Sequence, residues 1–317
     1  MAEPLLEVSG LGVELASERG PVRVLDGVEI ALRANQTLGI VGESGSGKTL
    51  TALAMLGLLP PGAGVISGHV KHRGGDLLRL SDRELREVRG RRIGMVFQEP
   101  QGALNPVFTI GDQLAQALRA HARATKPVDL LRQVGLAEPE LRARQYPHQL
   151  SGGLRQRVMI ALALAGDPEI LIADEPTSAL DSTVQAQLLE LLRTLQQERQ
   201  MAMVLITHDL ALVAQHADEV AVMYAGQVVE RGKPADVFGA PRHPYTEGLV
   251  RCAKGLGSQR GELPTIAGAV PAPGAWPKGC RFRERCPRAD LRCADDVPRL
   301  VGEARAVACH HPLEARP

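Results

Sequence analysis

Residues 42–49 read GESGSGKT. They follow the short apolar stretch QTLGIVG (36–42) and lead into a stretch with helical spacing, KTLTALAMLGLL (48–59). The octet fits the pattern G-x-x-x-x-G-K-[ST], which requires a preceding strand and a following helix. In such a loop, successive backbone N–H groups and the helix N-terminus attract the phosphates of a nucleotide. The sequence therefore predicts an α/β fold built around a phosphate-binding loop.

Each position of this phosphate loop is a candidate ATP contact. Lys48 carries the charge that faces the phosphates, and the Thr49 hydroxyl is placed to ligate Mg²⁺. A glycine-rich turn that matches the pattern by accident is the alternative, and the strand–loop–helix context argues against it. The candidate set is Gly42, Glu43, Ser44, Gly45, Ser46, Gly47, Lys48 and Thr49.

Two adjacent acids end a second apolar stretch, EILIADEP (169–176). A carboxylate at the end of a buried strand is unfavourable unless it has a partner, and a metal ion supplies one. We expect Asp174 to hold the Mg²⁺ shell. We expect Glu175 to polarise the attacking water, a contribution of about 10²–10⁴ in rate. The alternative is a helix N-cap at these acids, with Pro176 in the first turn.

Composition limits the class of protein. Of the 317 residues, 44% are hydrophobic and 23% are charged, and the net charge is +1 without a run of basic residues. Nucleic acid is therefore not an expected partner. The N-terminus lacks the pattern of a secretion signal, and Pro60 and Pro61 interrupt the longest apolar run. We expect a chain that is cytosolic or lies on a membrane without crossing it.

Hydrophobic patterning extends the fold prediction along the chain. The stretches 5–16 and 22–32 alternate like strands, and residues 201–209 form an apolar run of strand length. Residues 100–165 show helical spacing, and residues 219–232 are typical of a hairpin. Near-continuous apolar strands between helices are typical of a parallel sheet that is covered on both faces.

The stretch LSGGLRQR (150–157) resembles the signature motif of the ATP-binding-cassette (ABC) family, which reads LSGGQ in most members. Ser151, Gly152 and Gly153 open a helix whose N–H groups are suited to grip a γ-phosphate. The chain's own phosphate loop already supplies such N–H donors to its own nucleotide. The resemblance implies that this second set serves the ATP of a partner in a head-to-tail dimer. A capped helix start is the alternative interpretation of Ser-Gly-Gly.

Other motifs follow in the order of the same family, over about residues 4–250. Gln98 in MVFQEP resembles the glutamine that reaches the Mg²⁺ and the attacking water and senses the membrane partner. Asp181 in SALD resembles the loop that communicates across the dimer. His208 in LITHD resembles the switch histidine that hydrogen-bonds the γ-phosphate, and a structural histidine after a strand is its alternative.

The stretches FQEPQGALNPVFTIGDQL (97–114) and RHPYTEGLV (242–250) resemble the ATPase subunits of dipeptide, oligopeptide and nickel importers. Those proteins typically carry Asp where Glu99 stands and an apolar residue where Leu154 stands. The resemblance implies a subunit on the cytoplasmic face of the inner membrane. Its implied partners are two transmembrane permease subunits, a second and non-identical ABC ATPase and, indirectly, an extracytoplasmic binding protein. An importer ATPase for nickel or sugar, or a soluble ABC ATPase, is the competing interpretation.

The resemblance also implies a domain plan. It comprises a P-loop NTPase (RecA-like) α/β core with an antiparallel β subdomain and an inserted helical signature subdomain at about residues 99–165. The nucleotide-binding domain is expected at residues 1–240, and a cysteine-rich C-terminal extension of the peptide-importer type at residues 241–317. The first strands lack the aromatic residue on which the family stacks adenine, so Leu15 or Val24 is the expected contact.

Four of the five cysteines lie in the last forty residues, three of them in GCRFRERCPRADLRC (279–293). Disulfides are rare in the cytosol, so clustered cysteines favour a metal. Their gaps of five, six and fifteen residues exceed the about two to four residues of structural zinc sites. Four thiolates satisfy a [4Fe–4S] cluster, which the resemblance associates with the pattern C-x-F-x-x-R-C. Zinc and free thiols stay open as alternatives. The candidate ligands are Cys280, Cys286, Cys293 and Cys309.

The surroundings of these cysteines suggest a structural role, because the chain from Leu263 onward has little apolar periodicity. His310 and His311 are expected on a solvated tail, and ligation of the metal is their alternative role. Cys252 is expected to pack as a small hydrophobe. The arginines expected to offset the thiolate charge are Arg281, Arg283, Arg285, Arg288 and Arg292.

Overall fold

The structure is a computed structural model that describes residues 3–18, 20–98, 100–178, 180–255 and 265–314. The chain divides into two compact units, the first comprising residues 1–79 and 205–317 and the second residues 80–204. Glu99 and Leu263 lie outside the described residues. None of the helices in the described residues combines the length and the apolar composition that a membrane span requires.

The first unit opens with an antiparallel sheet and the strand that leads to the phosphate loop. The elements are β1 (Leu6–Leu15), β2 (Val22–Leu32), β3 (Thr37–Val41), α1 (Lys48–Met55), β4 (Ala63–His72) and β5 (Gly75–Asp76), followed by a 3-10 turn at Leu77–Arg79. β1 pairs antiparallel with β2 and with β4, in the order β2-β1-β4-β5. Leu6, Val8, Leu11 and Val13 are buried along β1. The strands predicted from the first two alternating stretches are confirmed.

The second unit carries the helical part of the chain. Its elements are α2 (Asp82–Val88), β6 (Ile93–Val96), α3 (Pro100–Ala103), α4 (Ile110–Ala120), α5 (Pro127–Gln133), α6 (Pro139–Ala143), α7 (Gly152–Ala163), β7 (Ile170–Asp174) and α8 (Ser182–Arg199), with a 3-10 turn at Pro147–Gln149. β6 and β7 are parallel, with Ile93 opposite Ile170. α4 begins at a Thr109 cap and buries Leu114 and Leu118 on one face. The helical spacing predicted for this part is confirmed.

Strand β8 (Ala202–Ile206) leads the chain back into the first unit. The elements that follow are α9 (Leu210–His216), β9 (Glu219–Tyr224), β10 (Gln227–Gly232), α10 (Pro234–Gly239), α11 (Pro244–Gly255), α12 (Leu291–Asp295) and β11 (Ala306–Val307), with a 3-10 turn at Arg283–Arg285. β9 runs parallel to β3 and antiparallel to β10, and β11 pairs antiparallel with the other side of β10. The predicted hairpin is confirmed, with Ala225 and Gly226 at positive φ in its turn.

The C-terminal segment, residues 265–314, packs on the core of the first unit. Phe282 is 3% exposed and joins a buried cluster that contains Tyr224 and Tyr245. Ile266 and Trp276 pack against the same cluster. Because these contacts are made with β9 and α11, the C-terminal segment completes the first unit. The domain boundary expected at residue 240 stays a prediction.

Candidate nucleotide site and cysteine-lined cavity

The phosphate loop joins the end of β3 to the start of α1. Gly42 has φ 155°, and a Cβ atom there would collide with the carbonyl oxygen of Met223 in β9. Gly47 has φ 101° at the N-cap of α1, and a Cβ atom there would lie 2.7 Å from Leu25 Cδ2. Both positions favour glycine, because their φ angles are ones that other residues rarely adopt, and at Gly42 a side chain would also collide with the backbone of β9. The neighbouring strands therefore define the path of the loop.

The ammonium group of Lys48 is held against this loop. Lys48 is 6% exposed, and its Nζ donates to the carbonyl oxygens of Gly42 at 2.8 Å and Glu43 at 3.0 Å. The Ser46 hydroxyl is buried and lacks a hydrogen-bond partner among the described residues, and Thr49 is exposed. The start of α1 thus offers a cation and two hydroxyls, the groups that a phosphate and its Mg²⁺ require.

His208 follows β8 in the first unit. The backbone N–H of Thr207 donates to the carbonyl oxygen of Ile40 at 3.2 Å, which places this turn beside the end of β3. The Asp209 carboxylate caps α9 by accepting a hydrogen bond from the backbone N–H of Ala211 at 2.8 Å. His208 itself is exposed. It therefore lies at the same strand end from which the phosphate loop begins.

The acid pair ends strand β7 in the second unit. Asp174 is 1% exposed. Glu175 is half-buried and has φ 44°, which is uncommon for a residue other than glycine. Gln98 Nε2 donates to Glu175 Oε2 at 3.2 Å, so the fold brings these two candidates together. The N-cap alternative is wrong for this acid pair, because the next described helix begins at Ser182 and is capped by Asp181.

The Ser-Gly-Gly stretch forms the start of α7, also in the second unit. Ser151 occupies the N-cap position, but its side chain makes no capping hydrogen bond. A Cβ atom at Gly153 would lie 2.9 Å from Val184 Cγ1, so α7 begins closely packed against the first turn of α8. Ser151 and Gly152 are exposed. The hydroxyl and the first N–H groups of this helix are therefore available to a ligand.

Four cysteines line one cavity in the first unit, namely Cys280, Cys286, Cys293 and Cys309. The first two flank the 3-10 turn that precedes α12, the third lies within α12, and the fourth follows β11. The backbone N–H of Cys280 donates to the carbonyl oxygen of Cys293 at 2.8 Å, which joins two of these turns. Residues that are widely spaced in the sequence thus form one set of free thiols.

Three of the four thiols that line this cavity favour their protonated form. Burial, with a smaller contribution from the neighbouring thiols, raises the pKa of Cys280 to about 11. Burial also raises the pKa of Cys286 and of Cys309. A metal must displace these protons before it can bind the sulfur atoms. Metal binding therefore releases protons and is favoured as the pH rises.

His310 and His311 line the same cavity. The expectation of a solvated tail is wrong, because β11 pairs with β10 and fixes the chain just before these residues. His311 Nε2 lies 2.8 Å from Asp290 Oδ2. The ligand atoms of Asp290, Cys293 and His311 all lie within 4.8 Å of one another. This trio is a second candidate donor set, and the spacing of its members in the sequence does not reveal it.

Two of the arginines expected to offset the thiolate charge form ion pairs elsewhere in the first unit. Arg281 pairs with Asp26 of β2, and Arg285 pairs with Glu43 of the phosphate loop. Their side chains are 7% and 4% exposed, respectively. The expected role is therefore wrong for these two arginines, which join the C-terminal segment to the nucleotide-binding part of the unit.

Known protein families match both the part of this chain that contains the phosphate loop and its C-terminal part. A family model described as ABC transporter matches residues 25–178, and one described as Oligopeptide/dipeptide transporter, C-terminal region, matches residues 229–293. The Dipeptide transport ATP-binding protein DppD of Escherichia coli (strain K12) is 45% identical over 98% of this chain and 97% of that protein. The protein of the same name from Bacillus subtilis (strain 168) is 47% identical over 92% and 89%. The chain belongs to the ABC transporter family.

A solved ABC cassette has the same fold. The dimeric structure of the ATP-binding cassette MJ0796, in a post-hydrolysis state bound to ADP and Pi, aligns with a TM-score of 0.63 and 28% identity. The alignment covers 72% of this chain and 98% of the other. The predicted P-loop α/β fold is confirmed as an ABC ATPase cassette with mixed sheets. The chain is an ATPase that uses ATP with Mg²⁺.

The two residues expected to contact adenine, Leu15 and Val24, lie in β1 and β2. Val24 is 6% exposed in β2. Leu15 is half-buried at the end of β1, where it pairs with Val22 and Ala63. Both expected contacts to adenine stay predictions.

Proposed function

We propose that this chain is the ATP-hydrolysing subunit of an ABC importer for dipeptides and oligopeptides. The observation that carries the proposal is the match along almost the whole chain, cassette and C-terminal segment together, to ATP-binding proteins of dipeptide transport. In this proposal, ATP drives two cassettes to close on each other. Closure switches a membrane permease between inward-facing and outward-facing states, and hydrolysis reopens the pair.

Nucleotide binding in this proposal starts from the phosphate loop. Lys48 and the backbone N–H groups of the loop bind the β- and γ-phosphates. Thr49, Gln98 and Asp174 supply oxygen ligands to the Mg²⁺ ion, which prefers hard oxygen donors. The position of Asp174 as the last residue of the buried strand β7 supports its role.

Hydrolysis in this proposal depends on Glu175 as the base. Its carboxylate takes the proton of the attacking water, and the hydrogen bond from Gln98 supports the orientation that this requires. His208 donates a hydrogen bond to the γ-phosphate. The position of His208 beside the end of β3 supports this role, since the phosphate loop begins at that strand.

The ATP of a partner cassette binds at the start of α7 in this proposal. Ser151, Gly152 and Gly153 present a hydroxyl and helix N-terminal N–H groups to its γ-phosphate. Asp181 transmits the state of that nucleotide across the dimer. The packing of α7 against the first turn of α8, which Asp181 caps, supports a connection between the two segments.

In this proposal, the chain lies on the cytoplasmic face of the inner membrane and binds two transmembrane permease subunits. The second cassette is a related but non-identical ATPase, and an extracytoplasmic binding protein delivers the peptide. Exposed apolar side chains on the second unit support a docking surface for such a partner. They are Phe97, Val107, Phe108, Leu141 and Tyr146.

A reconstituted complex tests the transport function. We expect the chain to co-purify with two hydrophobic permease chains. In proteoliposomes, we expect its ATP hydrolysis to rise several-fold when the binding protein is loaded with a dipeptide or oligopeptide. The measurement is phosphate release with peptide, nickel or sugar in separate reactions. Stimulation by nickel or sugar alone, or purification without any permease chain, contradicts the peptide assignment.

We also propose that Cys280, Cys286, Cys293 and Cys309 hold a [4Fe–4S] cluster. Their convergence on one cavity supports the fit, since thiolates are the ligands of such clusters. A bound cluster would supply iron–thiolate bonds that link the separate turns of the C-terminal segment. The cysteines themselves would then stabilise the fold of a segment with little apolar periodicity.

Iron content tests the cluster. Anaerobic purification is expected to give a brown protein with about four irons per chain, and Cys286→Ser is expected to lose the iron. Cys252→Ser is the control and should keep it, because Cys252 is not among the residues that line the cavity. A colourless protein loaded with zinc contradicts the cluster. Loss of that zinc in Asp290→Asn would instead assign the metal to the Asp290–Cys293–His311 trio.

A further inference from the structure

Glu43, the second residue of the phosphate loop, forms a bidentate ion pair with Arg285 of the C-terminal segment. Arg285 Nη1 donates to Glu43 Oε2 at 2.7 Å, and Arg285 Nη2 donates to Glu43 Oε1 at 3.0 Å. The Arg285 side chain is 4% exposed. Two parallel bonds from a planar guanidinium fix both the position and the orientation of a carboxylate. The pair therefore differs from a surface ion pair, whose side chains move freely in water.

A second contact holds the backbone of the same residue. The Tyr245 hydroxyl oxygen accepts a hydrogen bond from the Glu43 backbone N–H at 2.8 Å. Tyr245 is fully buried in α11, and burial raises the pKa of its hydroxyl, which keeps it neutral. Glu43 is thus held through both its side chain and its main chain by residues that follow β10 in the sequence.

The two holding residues are themselves fixed by their surroundings. Arg285 Nε donates to the carbonyl oxygen of Ala267 at 2.9 Å, and its Nη2 donates to that of Ile266 at 3.2 Å. The Phe282 ring packs on Tyr245 with ring centroids 5.5 Å apart. A guanidinium with most of its donors engaged and a ring in a packed core resist displacement.

We propose that Arg285 and Tyr245 are positioning residues for ATP binding, which hold Glu43 and keep its charge away from the triphosphate. Lys48 Nζ donates to the carbonyl oxygens of Gly42 and Glu43, so movement of Glu43 also displaces an acceptor that holds this ammonium group. A carboxylate released from Arg285 also leaves a negative charge beside an anionic ligand, and the two repel each other. The C-terminal segment thereby sets the affinity of the cassette for nucleotide.

Titration of the purified full-length chain with MgATP tests this role. Arg285→Gln is expected to raise the Kd by about tenfold, because it leaves the Glu43 charge unpaired. Glu43→Gln removes that charge and is expected to leave the Kd unchanged or lower it. The double variant Glu43→Gln/Arg285→Gln is expected to return the Kd to within about twofold of the parent chain, since two neutral amides still hydrogen-bond. A purely structural role for Arg285 would give no such rescue.

Arg281→Gln is the matched control. Arg281 also joins the C-terminal segment to the cassette, through Asp26 and the carbonyl oxygen of Ala225, but it has no bond to Glu43. It is expected to leave the Kd within about twofold of the parent value. The proposal is overturned if Arg281→Gln raises the Kd as much as Arg285→Gln, or if the double variant binds no better than Arg285→Gln.

Steady-state kinetics of the permease complex give a second measurement. Arg285→Gln is expected to raise the KM for ATP while kcat changes less than twofold, because binding is lost equally in the ground and transition states. Should Arg285→Gln fold poorly, Tyr245→Phe keeps the buried ring and removes only the hydroxyl, and it is expected to raise the KM in the same way. A fall in kcat at constant KM contradicts the proposal.

Discussion

Replacement of Glu175 by glutamine is expected to lower the rate of ATP hydrolysis by about 10²–10⁴ while ATP still binds. Glutamine has the shape of glutamate but cannot accept the proton of the attacking water. Gln98 donates a hydrogen bond to Glu175 Oε2, and an amide oxygen can accept it in the same way. The variant therefore keeps the local geometry and loses only the base. Phosphate release by the permease complex and MgATP titration measure the two effects separately.

Glu190→Gln is the control for this variant. It makes the same chemical change in the same unit, on the exposed face of α8, and it should hydrolyse ATP at the parent rate. We expect Glu175→Gln to accumulate with ATP bound, because the step that reopens the pair no longer occurs. Hydrolysis within about tenfold of the parent rate would show that another group acts as the base.

Bulky side chains at the start of α7 are expected to abolish hydrolysis without affecting the chain's own phosphate loop. The variant Ser151→Arg/Gly152→Val covers the helix N-terminus that binds the partner's γ-phosphate in the proposed dimer. Loss of preorganised donors to such a group lowers the rate by about 10²–10³. Binding of MgATP to the isolated chain should stay the same. Hydrolysis by the permease complex and ATP-dependent dimerisation are the measurements.

Ala120→Arg serves as the control for charge and bulk. Ala120 is exposed at the end of α4 in the same unit, away from the proposed dimer contact in sequence. The control should hydrolyse ATP normally, whereas the double variant at α7 should not. If the double variant still hydrolyses ATP at the parent rate, the start of α7 does not contact a second nucleotide.

Strong local periodicity made much of the fold predictable. The alternating stretches before residue 33 became β1 and β2, and the apolar runs at 169–176 and 201–209 contain β7 and β8. β4 escaped prediction because Gly64 and Gly68 interrupt it and most of its residues are partly or fully exposed. A strand with little buried surface carries a weak hydrophobic pattern, so its pairing is decided by the neighbouring strand.

The candidate site was predictable where its chemistry is encoded in short motifs. The phosphate loop and the acid pair each combine a strand end with functional residues in fewer than ten positions. The pair formed by Arg285 and Glu43 spans 242 positions in the sequence, and only the tertiary fold brings its members together. Arg285 precedes Cys286 in the sequence, which predicts that it offsets a thiolate charge. In the structure it pairs with Glu43 of the phosphate loop instead.

The short strand β11 covers part of the edge of strand β10. Its two residues pair with β10, and the backbone N–H of Ala308 donates to the carbonyl oxygen of Val229 at 2.8 Å. An uncovered strand edge exposes N–H and C=O groups that recruit strands from other molecules. Pairing with β11 therefore makes the edge of β10 at Glu230 and Arg231 inaccessible to strands of other molecules. A chain shortened before Ala306 would offer β10 to its neighbours and would lose solubility.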